Sequence, residues 1–315
     1  MRSLARRELL QRTGSEDAWR HAAPLKAAIT KAWPTQKAVR LVDKLLPGPS
    51  GKRRAWTRAD QLLVDEANSL LDGSPFTYGH VIVDEAQDHS AVALRVIGRR
   101  SPTGSMTLVG DVAQSTTPAG QERWSTVFDH LTIRDRPAGA VTDLTIGYRV
   151  PEPILAVANR LLPHTGVDAT ESRSVRRTGV PPSWLRVATD RLSEAVADLA
   201  DATKRRRRVS AVVAPVVLHG SLSDALAARG LLAVDHVHEL DPSELPLFGP
   251  EAVKGLEFDG VIVVNPHDIL SEESESPVTA RGARLLYVAM TRAEQELHFV
   301  TDADPPGVFG ESLVT

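Results

Sequence analysis

"GHVIVDEAQD", residues 79–88, runs three branched aliphatic side chains, Val81, Ile82 and Val83, straight into Asp84 and Glu85, with Gln87 and Asp88 close behind. An apolar run without polar alternation fits a strand covered on both faces, as in a parallel sheet. Open parallel sheets bind ligands outside the carboxyl ends of their strands, which puts Asp84 and Glu85 at the rim of a site. Charge at that position handles a cation or a proton. "TLVGDVAQ", residues 107–114, repeats the arrangement with Asp111 and Gln114, and Gly110 leaves room there for close approach of a ligand. A surface turn would account for the acidic pair alone. Two polar-ended strands in succession argue for one shared sheet edge.

Outward from this stretch, short apolar runs at 80–83, 106–109, 142–146, 185–188, 209–213, 260–264 and 296–300 are expected as strands. Helical patterns at 89–99, 151–162, 191–204, 221–229 and 279–293 separate them, an α/β order that calls for parallel sheets and right-handed crossovers. Residues 165–184 are polar and broken by Gly and Pro, so a boundary is expected there.

The chain has 315 residues, 42% of them apolar, enough for two cores. It has no cysteine, which excludes disulfides, thiolate metal sites and a Cys nucleophile and accords with a reducing cytosol. The N-terminus has no apolar stretch or cleavage site, and no run approaches the ~18 residues of a membrane span, so a soluble cytoplasmic protein is expected. The net charge of −3 is unevenly spread: residues 1–60 hold 14 Lys plus Arg against 5 Asp plus Glu, a balance of +9 that leaves −12 on the rest. Helical spacing in this basic part, interrupted by Pro24, Pro34 and "PGPSGK" at 47–52, predicts short helices. Their charge suits either a solvated surface or a nucleic-acid contact. "KRRRR" at 204–208 sits at a helix end, where cations complement the dipole, or could touch phosphate. "HVHEL" at 236–240 supplies too few ligands for zinc, and the Ser of "HGSLSD" at 219–224 reads as a helix cap.

In order, "VIVDEAQD", "TLVGDVAQ", "LTIGYRVP", "VKGLEFDGVIVV" and "RLLYVAMTRAEQEL" resemble the consecutive motifs of superfamily 1 helicases of the UvrD/Rep type, over about residues 78–301. Within that group, residues 79–114 and the preceding "RAWTRADQLLVDEANSLLDG" are most similar to HelD, helicase-like factors that act on bacterial RNA polymerase. The resemblance implies a RecA-like parallel-sheet core: a basic helical segment at 1–72, the C-terminal part of a first RecA-like domain at 73–165, a linker at 166–184 and a second such domain at 185–315. It implies ATP and Mg²⁺ as cofactors. Asp84 would hold the metal, Glu85 would activate water, and Gln87 would stand near the nucleotide. Asp111 and Gln114 would sense the γ-phosphate, and Tyr148 would stack on the base. Arg149 and Arg292 would reach the γ-phosphate from opposite sides of an inter-domain cleft, as planar guanidiniums suit phosphate oxygens. Gly255 would let the backbone approach, and Glu257 would accept from the ribose.

The sequence departs from that pattern at three places. No GxxxxGK[ST] is present; the pair Gly51-Lys52 is followed by Arg53 and has Leu46 where the first Gly would stand. Without such a loop there is no nest of N–H groups for the phosphates. The family places its phosphate loop upstream of the "DEAQD" strand, so the chain is expected to be the C-terminal portion of a longer protein, a split gene product or a degenerate relative, and inactive by itself. After "GDVAQ" the stretch "STTPAGQERW" offers Trp124 as the nearby aromatic, where UvrD-type translocases stack bases. Gly147 replaces the usual Asn before Tyr-Arg. Two functions follow: an ATP-dependent DNA helicase or translocase component that moves on single-stranded DNA or remodels RNA polymerase, or a non-catalytic helicase-fold module that binds polymerase or nucleic acid.

Overall fold

The computed structural model describes residues 2–13, 22–32, 36–47, 55–73, 76–131, 139–177, 179–272, 276 and 278–310. Pro34 and Gly51-Lys52, with most of the "PGPSGK" turn, lie outside them. The basic part forms short helices: α1 (Arg2–Thr13), α2 (Ala23–Ala32), α3 (Ala38–Leu45) and α4 (Arg58–Asp72). Thr57 and Asp60 close a capping box at the start of α4, which fixes where that helix begins. Ala38, Val42 and Ala67 join α3 to α4 in a small core.

The quoted stretch forms β1 (Val81–Val83), followed by α5 (Ala91–Arg100), β2 (Met106–Leu108) and α6 (Trp124–His130). β1 and β2 are parallel, with Val81 opposite Met106 and Val83 opposite Leu108. Leu94, Val127 and Leu131 fill the space between this pair and the helices, and Trp124 packs there beside Phe128 at 6.3 Å between ring centres. Arg100 binds Asp65 at 2.6 Å and Arg99 binds Glu66, which ties α5 to α4. Next come β3 (Ile146–Gly147), α7 (Glu152–Asn159) and β4 (Arg173–Ser174). The strand expected at 142–146 is reached only at Ile146, because β4 offers just two residues to pair with.

The second half is a six-stranded sheet. Its elements are β5 (Ser183–Arg186), α8 (Leu192–Arg206), β6 (Ser210–Val213), α9 (His219–Ala227), β7 (Leu232–Val234), β8 (Glu244–Phe248), β9 (Phe258–Val264), α10 (Pro266–Ser271), α11 (Ala280–Met290) and β10 (Ala293–Thr301). The order is β5-β10-β9-β6-β8-β7, every pairing parallel. This is the expected α/β architecture, a parallel sheet with helices on both faces, preceded by helices.

Alternate residues of each central strand serve different cores. Ala211, Val213, Val261, Val263, Leu297 and Phe299 meet α7 and α11, whereas Val212, Ile262, Val264 and Val300 meet α8 and α9. Burial on both faces is why these strands read as unbroken apolar runs. α7 thus shares a core with the large sheet: Ile154 and Leu155 pack with Tyr287 and Phe299. Gly282 is needed where α11 crosses α10, since a Cβ there would lie 2.2 Å from the Leu270 carbonyl oxygen.

Four of the five residues of the "KRRRR" run have partners within the fold. Lys204 donates to the Glu244 carbonyl, Arg205 pairs with Asp201 at 2.6 Å, and Arg206 and Arg207 bind Glu296 at 3.3 and 2.6 Å. Burial would raise the Glu296 pKa, but Arg207, His298 and Arg206 outweigh it and bring it down to about 2. Ser221 caps nothing, because α9 begins two residues earlier and its hydroxyl donates to the Leu218 carbonyl.

Candidate functional site

Beyond β1 the backbone turns at Glu85 with φ 49° and ψ 43°, a left-handed conformation that costs a non-glycine residue about 1–3 kcal/mol. Local bonds hold it. Asp84 Oδ1 accepts from the Glu85 amide at 2.9 Å, and Gln87 Nε2 donates to Glu85 Oε2 at 2.6 Å. Gln87 is fully buried, and its Oε1 accepts from the Asp111 amide at 3.1 Å, which joins the ends of β1 and β2. Gly110 makes this possible: a Cβ there would sit 2.1 Å from Gln87 Oε1. Its smallness makes room for the glutamine.

Asp111 accepts from the Ala113 amide and from Gln114 Nε2, both at 2.9 Å, which fixes the Gln114 side chain. Its Oε1 accepts from Arg292 at 2.9 Å. Arg292 lies just past α11, only 3% exposed, and also donates to the carbonyls of Val288 and Leu256 at 3.2 and 3.4 Å. Burial first, then neighbouring Arg149, lowers its pKa to about 10, so it stays charged near neutrality. Tyr287, one turn earlier, has its pKa pushed up by burial and by Asp111.

Arg149, after β3, pairs with Glu257 and donates to the Thr291 carbonyl at 3.5 Å, next door to Arg292. The two arginines therefore converge at one end of α11. This corrects the expectation that they stand on opposite sides of a cleft. The reason is packing: Val150 and Ile154 are buried in the same core as Tyr287 and Val288, which carries Arg149 to that helix end.

Of the other expected residues, Asp84 is exposed at the rim, and Tyr148 leaves 73% of its surface free, as a stacking platform requires. Gly255 has φ +78° with open space around it, so what it supplies is the turn that presents Lys254 and Glu257. Lys254 escaped the sequence analysis. Its Nζ binds Asp88 at 2.7 Å, the Gln114 carbonyl at 2.5 Å and stands 3.6 Å from Glu85. A lone Lys before a Gly gives no spacing signal; only the fold brings it to the acidic turn. Arg284 adds a second clasp, to the Thr165 carbonyl at 2.8 Å and Glu122 at 2.9 Å.

Three comparisons bear on this geometry. Residues 251–300 match the model of the UvrD-like helicase C-terminal domain, the part that contains Lys254, Glu257 and Arg292. A search of curated proteins found no match. Among solved structures, the C-terminal domain of a possible DNA helicase from Lactobacillus plantarum is similar at 23% identity and a TM-score of 0.41, covering 54% of this chain and 98% of that one. Among the described residues no group of three or more His, Asp or Glu is arranged around a metal position, and no helix is long and apolar enough to cross a membrane.

The donor set fits one end of a nucleotide. Three cations, Arg149, Lys254 and Arg292, converge on Glu85, Gln114 and Glu257, which suits a terminal phosphate and a water to be deprotonated. The sequence supplies no glycine-rich loop for the inner phosphates.

Proposed function

We propose that this chain is the C-terminal part of a UvrD-type superfamily 1 helicase or translocase, hydrolysing ATP once a phosphate-binding loop completes its site. The observation that carries the reading is the continuous hydrogen-bonded network from Glu85 through Gln87, Asp111 and Gln114 to Arg292. It links the acidic turn of one sheet to the last helix of the other, the arrangement by which a change at the nucleotide would alter how the two halves meet. Asp84 would hold Mg²⁺ and Tyr148 the base, and the metal would neutralise phosphate charge when bound. Glu85 would take the proton of the attacking water, with Gln87 fixing its carboxylate. Arg149 and Arg292 would exchange their present partners, Glu257 and Gln114, for phosphate oxygens.

Alone, the chain should turn over ATP negligibly. Joined to a phosphate-loop segment, its Glu85→Gln variant should bind nucleotide but lose hydrolysis, since the amide cannot accept the proton. Equal rates for variant and parent would remove Glu85 from the role of base.

Single-stranded DNA is the partner that a helicase reading implies. A second reading, docking to RNA polymerase in the manner of HelD-like proteins, draws on the stretch after β2. Trp124 there is packed in a core, and Ser115, Thr116 and Gln121 are buried, which leaves no aromatic in 115–124 displayed for bases. Phosphate contacts fall steeply with salt, about −0.7 in log–log slope for each neutralised phosphate on single strands, whereas protein docking should depend on salt less. Titrating both partners across salt concentrations separates the readings: tight, salt-sensitive DNA binding with no polymerase retained favours the first.

A further inference from the structure

Away from the site described above, three side chains form one hydrogen-bonded line across β5 and β10. Ser183 lies directly opposite His298 in the parallel pairing, and its Oγ is 2.6 Å from His298 Nδ1. His298 Nε2 lies 3.2 Å from Glu296 Oε2, two residues earlier on the same strand face. Arg206 and Arg207, at the end of α8, hold that carboxylate as well.

The direction of the line follows from which atoms can donate. Burial holds the His298 pKa below the usual histidine value, against the pull of Glu296, so the ring is neutral and basic near pH 7. A carboxylate kept ionised by two guanidiniums only accepts, so the neutral ring carries its proton on Nε2 and presents a bare Nδ1. The Ser183 hydroxyl then donates to that nitrogen. A hydroxyl within hydrogen-bond reach of a base, which a third group orients, is the arrangement of an activated nucleophile. Other pairs in the molecule lack a part of it. His80 meets the hydroxyls of Ser105 and Thr107 at 2.8 and 3.0 Å, groups that donate and accept alike and so fix neither tautomer. Ser221 donates to the Leu218 carbonyl, which is no base.

Ser183 is also within reach of a reactant. It is exposed, and β5 has β10 as its one strand neighbour among the described residues. Val187 N–H donates to the Thr301 carbonyl at 2.9 Å, so by alternation residues 185 and 183 turn their backbone polar groups to β10, and the N–H of Trp184 turns to the open edge. A donor on the residue after the nucleophile suits a developing oxyanion. The Trp184 ring stacks on Phe299 at 4.0 Å between ring centres, which holds β5 in place on β10.

We propose that Ser183, His298 and Glu296 form a nucleophilic triad that takes the acyl group of a small carboxylic ester and passes it to water. Ser183 Oγ bonds to the carbonyl carbon as its proton moves to His298 Nδ1; the bond from that carbon to the leaving oxygen breaks, and that oxygen takes the proton as the alcohol departs. Water repeats the exchange, its proton passing through Nδ1 to Ser183 Oγ as the carboxylic acid leaves. An edge strand gives little wall to grip a long chain, which confines the substrate to short acyl groups. Glu296 touches no substrate and is a positioning residue. The triad is independent of the nucleotide reading.

The test treats the full chain with a fluorophosphonate, maps the adduct by peptide mass spectrometry, and follows p-nitrophenyl acetate hydrolysis beside it. The adduct should sit on Ser183, with Ser105 and Ser221 unmodified. Its rate should rise with pH through a midpoint below about 6.5, as His298 loses its proton. Ser183→Ala should remove the adduct and the ester turnover, and His298→Asn should slow both by about 100-fold or more. Glu296→Gln should slow labelling about tenfold or more and move the midpoint lower, because the carboxylate that favours the imidazolium is gone, a shift that loss of packing would not produce. Denaturation midpoints of the variants establish that each is folded, and the pH profile of the unaltered chain needs no variant. No adduct at Ser183, a rate without that pH midpoint, or labelling unchanged in folded His298→Asn overturns the proposal. A stoichiometric burst of p-nitrophenol with no turnover overturns the passage to water.

Discussion

Val81-Ile82-Val83 and Val261-Ile262-Val263 are the same tripeptide, both in parallel strands, yet Ile82 is 73% exposed and Ile262 is 1% exposed. β9 has a strand on each side and helices over both faces, whereas β1 has β2 as its one strand partner among the described residues. The contrast teaches that an unbroken apolar run announces a strand meant for a covered position, while its cover is supplied by neighbours that the run does not encode. The sparse sheet nonetheless carries the acidic turn, and the dense one carries the basic groups that answer it.

The largest expected effect separates the two tripeptides directly. Ile262→Ala should lower unfolding free energy by about 2–5 kcal/mol, as buried large-to-small changes do, while Ile82→Ala should stay within about 0.5 kcal/mol. Denaturant titrations of both variants check it, and similar losses would mean that β1 is covered in solution.

Acid should act on the dense sheet through Glu296. Its folded pKa of about 2 lies below the model-peptide 4.5, so it stabilises the fold above about 4.5 and loses that contribution as pH falls toward 2. On the order of 3 kcal/mol is at stake, given 1.36 kcal/mol per pKa unit. Glu296→Gln should flatten the acid limb of a stability-against-pH curve; an unchanged limb would show that Arg206 and Arg207 do not act through it.

Lys254→Ala removes a charge-assisted clasp between the regions, worth about 1.5–3 kcal/mol in typical cases. Exchange at residues 84–88 should speed up while β9 amides stay as they were, and equal acceleration in both would mean that the two regions open as one. The smallest effect belongs to Arg205→Ala. Its exposed pair with Asp201 should contribute within about 0.5 kcal/mol, and single-stranded DNA affinity should stay within about twofold if the basic run serves the fold. A large loss of DNA binding would reassign 204–208 to an interface.

Much of this was legible because the local signals were strong. Strands at 209–213, 260–264 and 296–300 and helices at 191–204 and 221–229 fall within a few residues of the observed elements, since continuous burial leaves continuous apolar runs. β8 was not anticipated: "ELPLF" contains Pro246, a poor strand residue, but it pairs with β7 through residues 244–246 and with β6 through 247–248. At 142–146 the opposite happened, an apolar pattern with too little partner to complete a strand.

By itself the sequence determined the parallel α/β class, the order of its elements and the identity of the charged residues at the strand ends, because hydrophobic runs and strand-terminal carboxylates are local properties of the chain. Only the tertiary structure decided that Gly110 makes room for Gln87, that Lys254 clasps the Glu85 turn, and that Arg149 and Arg292 converge at one helix end. Those depend on which helix packs on which sheet. Arg149 and the Thr291 carbonyl, 142 positions apart, meet because α7 and α11 share a core, and no spacing along the chain records that contact.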